Sequence, residues 1–391
     1  MSLEQINWLL DVGEYRRVAR NRKALREPGQ GTDYTDERFR EVVHRVVSRI
    51  HPGRMNLRVL EIIRQTATAK TFCLERVDGP LPPFRAGQYV NVTVNIEGVR
   101  TSRPYSICSA PTAERLELTV RDKPGGFVAP YLFNTLKVGD VLETTGPAGH
   151  FYYEPLIDGE GLVFLAGGSG ITPFMSMIRD TVQRQGPLRI NLLYGSRTPE
   201  DVIFRGELEK IAASHSNITF SLVISDPPEG YGGLKGLLDS KLIVQLVGDI
   251  KGKTFYVCGP RAMNDFCRLA LKEMAVPRRK IRYELYGAPD DVRKEPGWPE
   301  GFSKDMVFEV EVAAKKMILA KAGEPLLNAL ERSGFVVPAL CRSGECSACR
   351  IRLVSGKVFM PSQATVRESD RQGGYIHACV SYPLGNLKIR L

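Results

Sequence analysis

Four cysteines near the C-terminus carry the most specific chemistry in this 391-residue chain. Cys341, Cys346 and Cys349 are spaced C-x4-C-x2-C, and Cys379 follows beyond 29 intervening residues. This spacing suits a [2Fe–2S] cluster, in which two irons share two sulfides and need four thiolates around one small object. A single loop supplies three of them only if its backbone bends sharply. Gly344, with small Ser347 and Ala348, permits such a bend. Zinc also takes four thiolates, but its sites more often use two C-x2-C knuckles, and only one is present. The other cysteines, Cys73, Cys108, Cys258 and Cys267, are scattered.

Glycine turns form a second group. Ala166-Gly167-Gly168-Ser169-Gly170-Ile171-Thr172-Pro173 follows the apolar run Leu162–Ala166 and opens a helical pattern. Glycines there let the backbone approach a pyrophosphate, and a helix N-terminus favours the anion. The pattern is not G-x-G-x-x-G, so it is no ordinary dinucleotide fingerprint. Tyr194-Gly195-Ser196-Arg197 and Cys258-Gly259-Pro260 follow two further apolar runs. Upstream, Arg103-Pro104-Tyr105-Ser106 follows the alternating strand pattern Tyr89–Val94 and offers a cation, an aromatic ring and a hydroxyl, a set suited to a flavin. Gly125-Gly126 precedes the helix-like Ala129–Asn134 and is a candidate pyrophosphate seat. Asp226, after the strand pattern Ile218–Ile224, would repel a 2′-phosphate and accept bonds from a free ribose, whereas Arg197 and Lys235 argue the other way. The charge balance favours NADH over NADPH.

Taken in order, these motifs resemble the ferredoxin–NADP reductase superfamily, here with a C-terminal plant-type ferredoxin domain. The resemblance covers about residues 56–391. It implies an antiparallel β-barrel flavin domain, an α/β parallel-sheet nucleotide domain and a β-grasp ferredoxin domain. By the same resemblance Arg103, Pro104, Tyr105 and Ser106 bind flavin, together with Val120, Gly125, Gly126 and Phe127. Gly168, Ser169, Gly170, Ile171, Thr172, Ser196, Arg197, Asp226, Gly259 and Pro260 bind the nicotinamide nucleotide. Thr172 and Cys258 lie beside the nicotinamide, and Glu284 matches an acidic position near the flavin. Tyr286 either stacks on the flavin or fills core. Cys341, Cys346, Cys349 and Cys379 are the cluster ligands. One departure is visible: Ala129 stands where many members place Ser or Thr. The stretch Gly146-Pro147-Ala148-Gly149-His150-Phe151 looks like the FAD-containing relatives, so FAD is expected rather than FMN.

The elements that must position these groups divide the chain into five. Residues 1–55 are polar and Arg-rich, with a helical pattern at Asn7–Leu10 and another from Asp36 to Ile50. They read as a helical N-terminal extension, either a cap or a partner-binding arm. Residues 56–155 alternate as β-strands. Residues 156–286 alternate buried strand and helix. Residues 287–305, rich in Gly, Pro and charge, read as a linker that lets the last domain swing. Residues 306–391 hold the cysteines. Hydrophobic residues are 43%, enough for real cores, and no apolar run is long enough to span a membrane. Met1–Leu10 carries Glu4 and lacks a long apolar core, so no signal peptide is expected, and the protein is expected in the cytoplasm with reduced thiols. The net charge of +10 is thinly spread, and half of it falls in residues 306–391. No compact basic block points to nucleic acid. The expected activity is that of an NAD(P)H-dependent oxidoreductase: hydride enters as a pair, a flavin divides the pair, and a cluster passes electrons singly to a redox-partner protein. That partner is expected to be an oxygenase component. The alternative is an anaerobic metalloenzyme of corrinoid or hybrid-cluster type, docked through residues 1–55.

Overall fold

A computed structural model describes residues 37–312 and 316–391. The helix pattern at Asn7–Leu10 lies outside the described residues, and so does most of the N-terminal extension. Within it, Glu37–Ile50 forms helix α1, over the described part of the Asp36–Ile50 pattern. The described residues Glu37–His51 belong to a different unit from Pro52–Leu391.

The second unit contains three principal sheets. Strands β1 (Met55–Arg64), β2 (Ala69–Arg76), β3 (Tyr89–Ile96), β4 (Val99–Ser106), β5 (Leu116–Arg121) and β6 (Val141–Thr144) form an antiparallel sheet ordered β4-β3-β6-β1-β2-β5. Its two edges meet through the bridge Ile107–Leu118. Met55, Leu57 and Val59 of β1 are buried while Asn56 and Arg58 are exposed, the alternation of a strand with one wet face. A bulge between Val59 and Glu61 then shifts the register. Helix α2 (Ala129–Thr135) covers one end.

Strands β7 (Gly161–Gly167), β8 (Arg189–Ser196), β9 (Ile218–Ile224), β10 (Leu234–Lys235), β11 (Thr254–Cys258) and β12 (Ile281–Glu284) form an all-parallel sheet ordered β10-β9-β8-β7-β11-β12. Helices α3 (Ile171–Arg184), α4 (Arg205–Ser214), α5 (Ser240–Val247) and α6 (Arg261–Glu273) accompany it. Leu162–Gly167 is buried at every position, as a parallel strand covered on both faces must be. Two polar joints hold this sheet to the flavin sheet. Arg179 of α3 donates to Glu207 and Glu117 at 2.7 Å and to the Cys108 carbonyl at 2.9 Å. Asp201 accepts from Thr68 Oγ1 at 3.0 Å and pairs with Arg121.

The third sheet is ordered β14-β13-β19-β15-β17, from β13 (Val307–Val312), β14 (Lys316–Lys321), β15 (Arg350–Ser355), β17 (Tyr375–His377) and β19 (Leu387–Arg390). Strands β16 (Val358–Phe359) and β18 (Tyr382–Pro383) pair beside it. Helix α7 (Leu326–Arg332) buries Leu326, Leu327, Ala329 and Leu330 in the same core; helix α8 (Glu368–Gln372) precedes β17.

Residues 287–305 differ from the free linker expected. Trp298 packs edge-on against Phe359 at 5.3 Å and Phe302 at 5.8 Å, and its Nε1 donates to the Phe302 carbonyl at 3.2 Å. Val292 is buried with Phe359 and Tyr382. The polar composition suggested a tether, but one tryptophan and one valine fix the segment onto the third domain. Among the described residues, no helix is long and apolar enough to cross a membrane.

Candidate functional site

Three glycine turns stand at the C-terminal ends of adjacent parallel strands, where open α/β sheets bind ligands. Register places Ala166 beside Cys258 on one side and Tyr194 on the other. Gly168-Ser169-Gly170, Ser196-Arg197 and Cys258-Gly259-Pro260 therefore lie side by side. The approach is close: a β-carbon on Gly170 would stand 2.2 Å from the Cys258 carbonyl oxygen. Thr172 Oγ1 donates to the Ser169 carbonyl at 2.9 Å, and Tyr194 Oη donates to the Gly168 carbonyl at 2.8 Å. Ile171 is fully buried below the turn. At the outer rim, Arg197 Nε donates to Asp226 Oδ2 at 3.3 Å, and both side chains are exposed. Lys235 is exposed on β10.

The parallel register sets Glu284 opposite Cys258. Burial pushes the Cys258 thiol well above its usual value, and the neighbouring Glu284 adds to this. Burial likewise pushes the Glu284 carboxyl well above the carboxylate range, reinforced by Glu345 and Cys341 of the cysteine loop.

The Arg103–Ser106 motif closes β4, the strand that follows β3. Ser106 is buried, and its hydroxyl shares a 2.7 Å hydrogen bond with Tyr286 Oη. Tyr286 in turn meets Tyr89 edge-on at 6.1 Å. A residue just beyond β12 thus reaches β3 and β4 of the flavin sheet. Tyr105 packs against that sheet's core, and Pro104 lies opposite Asn91. Arg103 Nη1 donates to Thr101 Oγ1 and to the Ser102 carbonyl, both at 2.7 Å. Burial, with Arg342 nearby, lowers the Arg103 pKa to about 10. Gly125 and Phe127 are exposed, and Gly126 sits tight against the Lys123 carbonyl. Helix α2 begins just beyond with no side-chain cap, and Pro130 in its first turn has no N–H, so the amides of Ala129 and Tyr131 are the first-turn donors left to meet an anion. Val120 is different: its side chain belongs to the core.

The cysteine loop coils tightly. Arg342, Gly344 and Ser347 have φ of 55°, 87° and 59°. A β-carbon on Gly344 would meet Val380 Cγ2 at 2.7 Å, so glycine is required there on both counts. The turns aim amides at sulfur: Ser343 N and Cys346 N each donate to Cys341 Sγ at 3.4 Å. His377, fully buried, places Nδ1 2.8 Å from the Gly344 carbonyl and supports the loop from beneath. The thiols neighbour one another in two pairs, Cys341 beside Cys346 and Cys349 beside Cys379. Among the described residues, no three Cys, His, Asp or Glu side chains converge as they would on one metal ion. Two neighbouring pairs fit the division a binuclear cluster needs, two thiolates to each iron.

These parts face one another. The charges of Cys341, Cys346, Glu284 and Glu345 all bear on Tyr89, whose phenol burial already raises. The cysteine loop, the end of β12 and the Tyr89–Tyr286–Ser106 cluster share one neighbourhood. Sequence reasoning missed the residues that tie the loop to the flavin sheet. Arg342 is buried against Thr101 and Glu331. Asn91 donates to the Ala339 carbonyl. A polar residue at a buried strand position, as in Asn91-Val92-Thr93-Val94, was the available signal.

The chain matches the profile of an oxidoreductase FAD-binding domain over residues 56–153, an oxidoreductase NAD-binding domain over residues 164–269, and a 2Fe-2S iron-sulfur cluster binding domain over residues 310–384. It is 30% identical over 309 residues to the NADH oxidoreductase HCR of Escherichia coli, covering 78% of this chain and 88% of that protein. It is 29% identical over 353 residues to a glycine betaine monooxygenase reductase subunit of Chromohalobacter salexigens, covering 86% and 95%. Among solved structures it resembles phthalate dioxygenase reductase at a TM-score of 0.66 and 25% identity, covering 87% of this chain and 98% of that one. The site and fold define an NAD(P)H-dependent flavin and iron–sulfur oxidoreductase. The chain belongs to the ferredoxin–NADP reductase family, in the branch that carries a C-terminal [2Fe–2S] domain.

Proposed function

We propose that this chain is the reductase component of an oxygenase system, drawing electrons from NADH and delivering them singly to the oxygenase. A flavin bound here divides the electron pair of a hydride, and a [2Fe–2S] cluster accepts one electron at a time. The chain's own residues do the positioning. The Gly168–Gly170 turn, Thr172, Ser196 and Cys258-Gly259-Pro260 seat the nicotinamide nucleotide. Arg103, Tyr105, Ser106 and the Gly125-Gly126 turn hold FAD, with the free amides of α2 doing the work that Ala129 cannot do by side chain. Tyr286 and Glu284 close the site against water, with burial holding the Glu284 carboxyl well above the usual carboxylate range. Asp226 engages Arg197 and would repel a 2′-phosphate, which favours NADH. Cys341, Cys346, Cys349 and Cys379 ligate the cluster. A cytoplasmic location fits free thiols and a nicotinamide donor. Residues 287–305 are the segment between the nucleotide and cluster domains, held in place by Trp298.

The observation that carries this reading is the shared neighbourhood of the cysteine loop, Glu284 and Tyr286, which puts hydride entry and electron exit at one place. The relatives named for betaine monooxygenase and phthalate dioxygenase systems support the acceptor class. The test is anaerobic mixing of the NADH-reduced protein with a purified oxygenase component. Bleaching of the oxygenase's metal centre in step with reoxidation of the cluster is expected. Reoxidation by dioxygen or dyes but by no oxygenase would overturn the assignment of the acceptor while leaving the reductase chemistry intact.

A further inference from the structure

We infer that Thr101 is a positioning residue for electron passage from flavin to cluster: its hydroxyl joins the flavin-strand arginine to the ion pair behind the cysteine loop. The inference rests on the functional reading above. Thr101 lies on β4, two residues before Arg103, so both side chains leave the same face of the strand. It is 3% exposed. Its hydroxyl makes every bond it can: it donates to Glu331 Oε2 at 2.8 Å, and accepts from Arg103 Nη1 at 2.7 Å and Arg342 Nη2 at 3.0 Å.

The partners give the joint its meaning. Arg103 belongs to the flavin motif. Arg342 directly follows the ligand Cys341 and takes a left-handed φ of 55°, unusual for its type. Glu331 sits near the C-terminal end of α7 and pairs with Arg342; both are buried. One oxygen atom of the flavin sheet is therefore shared with a buried ion pair of the cluster domain. A cavity of about 310 Å³ runs alongside, lined by Asn91, Thr101, Thr144, Glu331 and residues 335–340. The Asn91 contact to the Ala339 carbonyl is a second polar tie from the flavin strands, and Arg261 adds one from the nucleotide domain, to Gln363 at 3.0 Å. Beside a cavity of that size, the separation of cluster and flavin leans on such bonds, and Thr101 carries the one next to a cluster-loop residue. In the step concerned, one electron leaves the NADH-reduced flavin and one iron of the oxidised cluster takes it. That rate falls steeply with separation. Hydride entry does not use this joint, because Arg179 and Asp201 hold the nucleotide sheet independently.

The test uses full-length holoprotein with Thr101→Val, which keeps the shape and removes the hydroxyl, and Thr101→Ser, which keeps the hydroxyl. Anaerobic stopped-flow with NADH should show flavin bleaching at the wild-type rate in both. Cluster bleaching should slow by about tenfold or more in the Val variant only. Hydrogen exchange of the amides of residues 339–345 should rise in the Val variant and return to wild type in the Ser variant, with the parallel sheet unchanged. If valine destabilises the fold, Thr101→Ala reads the same joint without a methyl group against Glu331. Wild-type cluster bleaching in the Val or Ala variant, failure of serine to restore it, or parallel slowing of flavin bleaching would each overturn the inference.

Discussion

Replacing Gly170 with alanine tests the nicotinamide turn at a single atom. The backbone is no obstacle, because φ of −65° and ψ of −4° suit alanine. The obstacle is β11. The new β-carbon would stand 2.2 Å from the Cys258 carbonyl oxygen, 2.5 Å from its carbon and 2.7 Å from Gly259 Cα. All three are backbone atoms, so no rotamer change relieves the clash. A carbon–oxygen contact needs about 3.3 Å, so the turn and the end of β11 must separate by about 1 Å. A displacement of that size at a positioned reaction centre costs about 10²-fold in rate. The overpacking itself costs about 1–3 kcal/mol, which a domain of this size survives. Gly186→Ala is the control, since nothing lies within 4 Å of a β-carbon there. The assay is flavin bleaching by NADH in anaerobic stopped-flow. Gly170→Ala should bleach about 10²-fold more slowly while Gly186→Ala matches wild type. Equal rates in the two variants would refute the claim that the Gly170–Cys258 approach sets the nicotinamide's place.

Other expectations follow from the same geometry. Cys379→Ser removes one thiolate of the second pair, so the purified protein should lack the cluster's visible and paramagnetic signals while NADH still bleaches its flavin. Trp298→Ala empties the space between Phe359, Phe302 and Tyr382. Trp298 is half-buried, so the change should cost at most about 3 kcal/mol in chemical unfolding and open residues 287–305 to limited proteolysis. Glu284 keeps its proton in the folded chain to a pH at which an unfolded carboxyl, near 4.5, has already lost it. Folded protein then binds more protons than unfolded, so stability falls as pH rises above that value. Glu284→Gln should flatten the decline in urea midpoint as pH rises above 4.5, and an unchanged slope would count against a raised Glu284 pKa.

The sequence was most informative where a local rule has few solutions. The cysteine spacing, the bend at Gly344 and the glycine turns after buried strands are short-range features, and each sits where its neighbours in the chain imply. Strands β3, β5, β7, β8, β9 and β11 were visible as alternating or continuous apolar runs. Strands β2, β4 and β6 were not. In β4 the run Arg100-Thr101-Ser102-Arg103 looks like a polar loop, because its side chains serve the site and the cluster domain instead of a core. The joint at Thr101 was hidden for another reason. It joins residues 230 and 241 positions apart, and no pattern within one segment encodes that contact. The packed state of residues 287–305 depended on a single tryptophan within a composition that otherwise favours a tether.

The central claim is that electrons run from NAD(P)H through the flavin to the cluster within this one chain. An anaerobic titration with NADH, and then NADPH, followed by visible absorption tests it most directly. The account predicts that flavin and cluster bands both bleach at low NADH. A flavin that bleaches beside a cluster that stays oxidised, or a purified protein that binds no flavin, would contradict it.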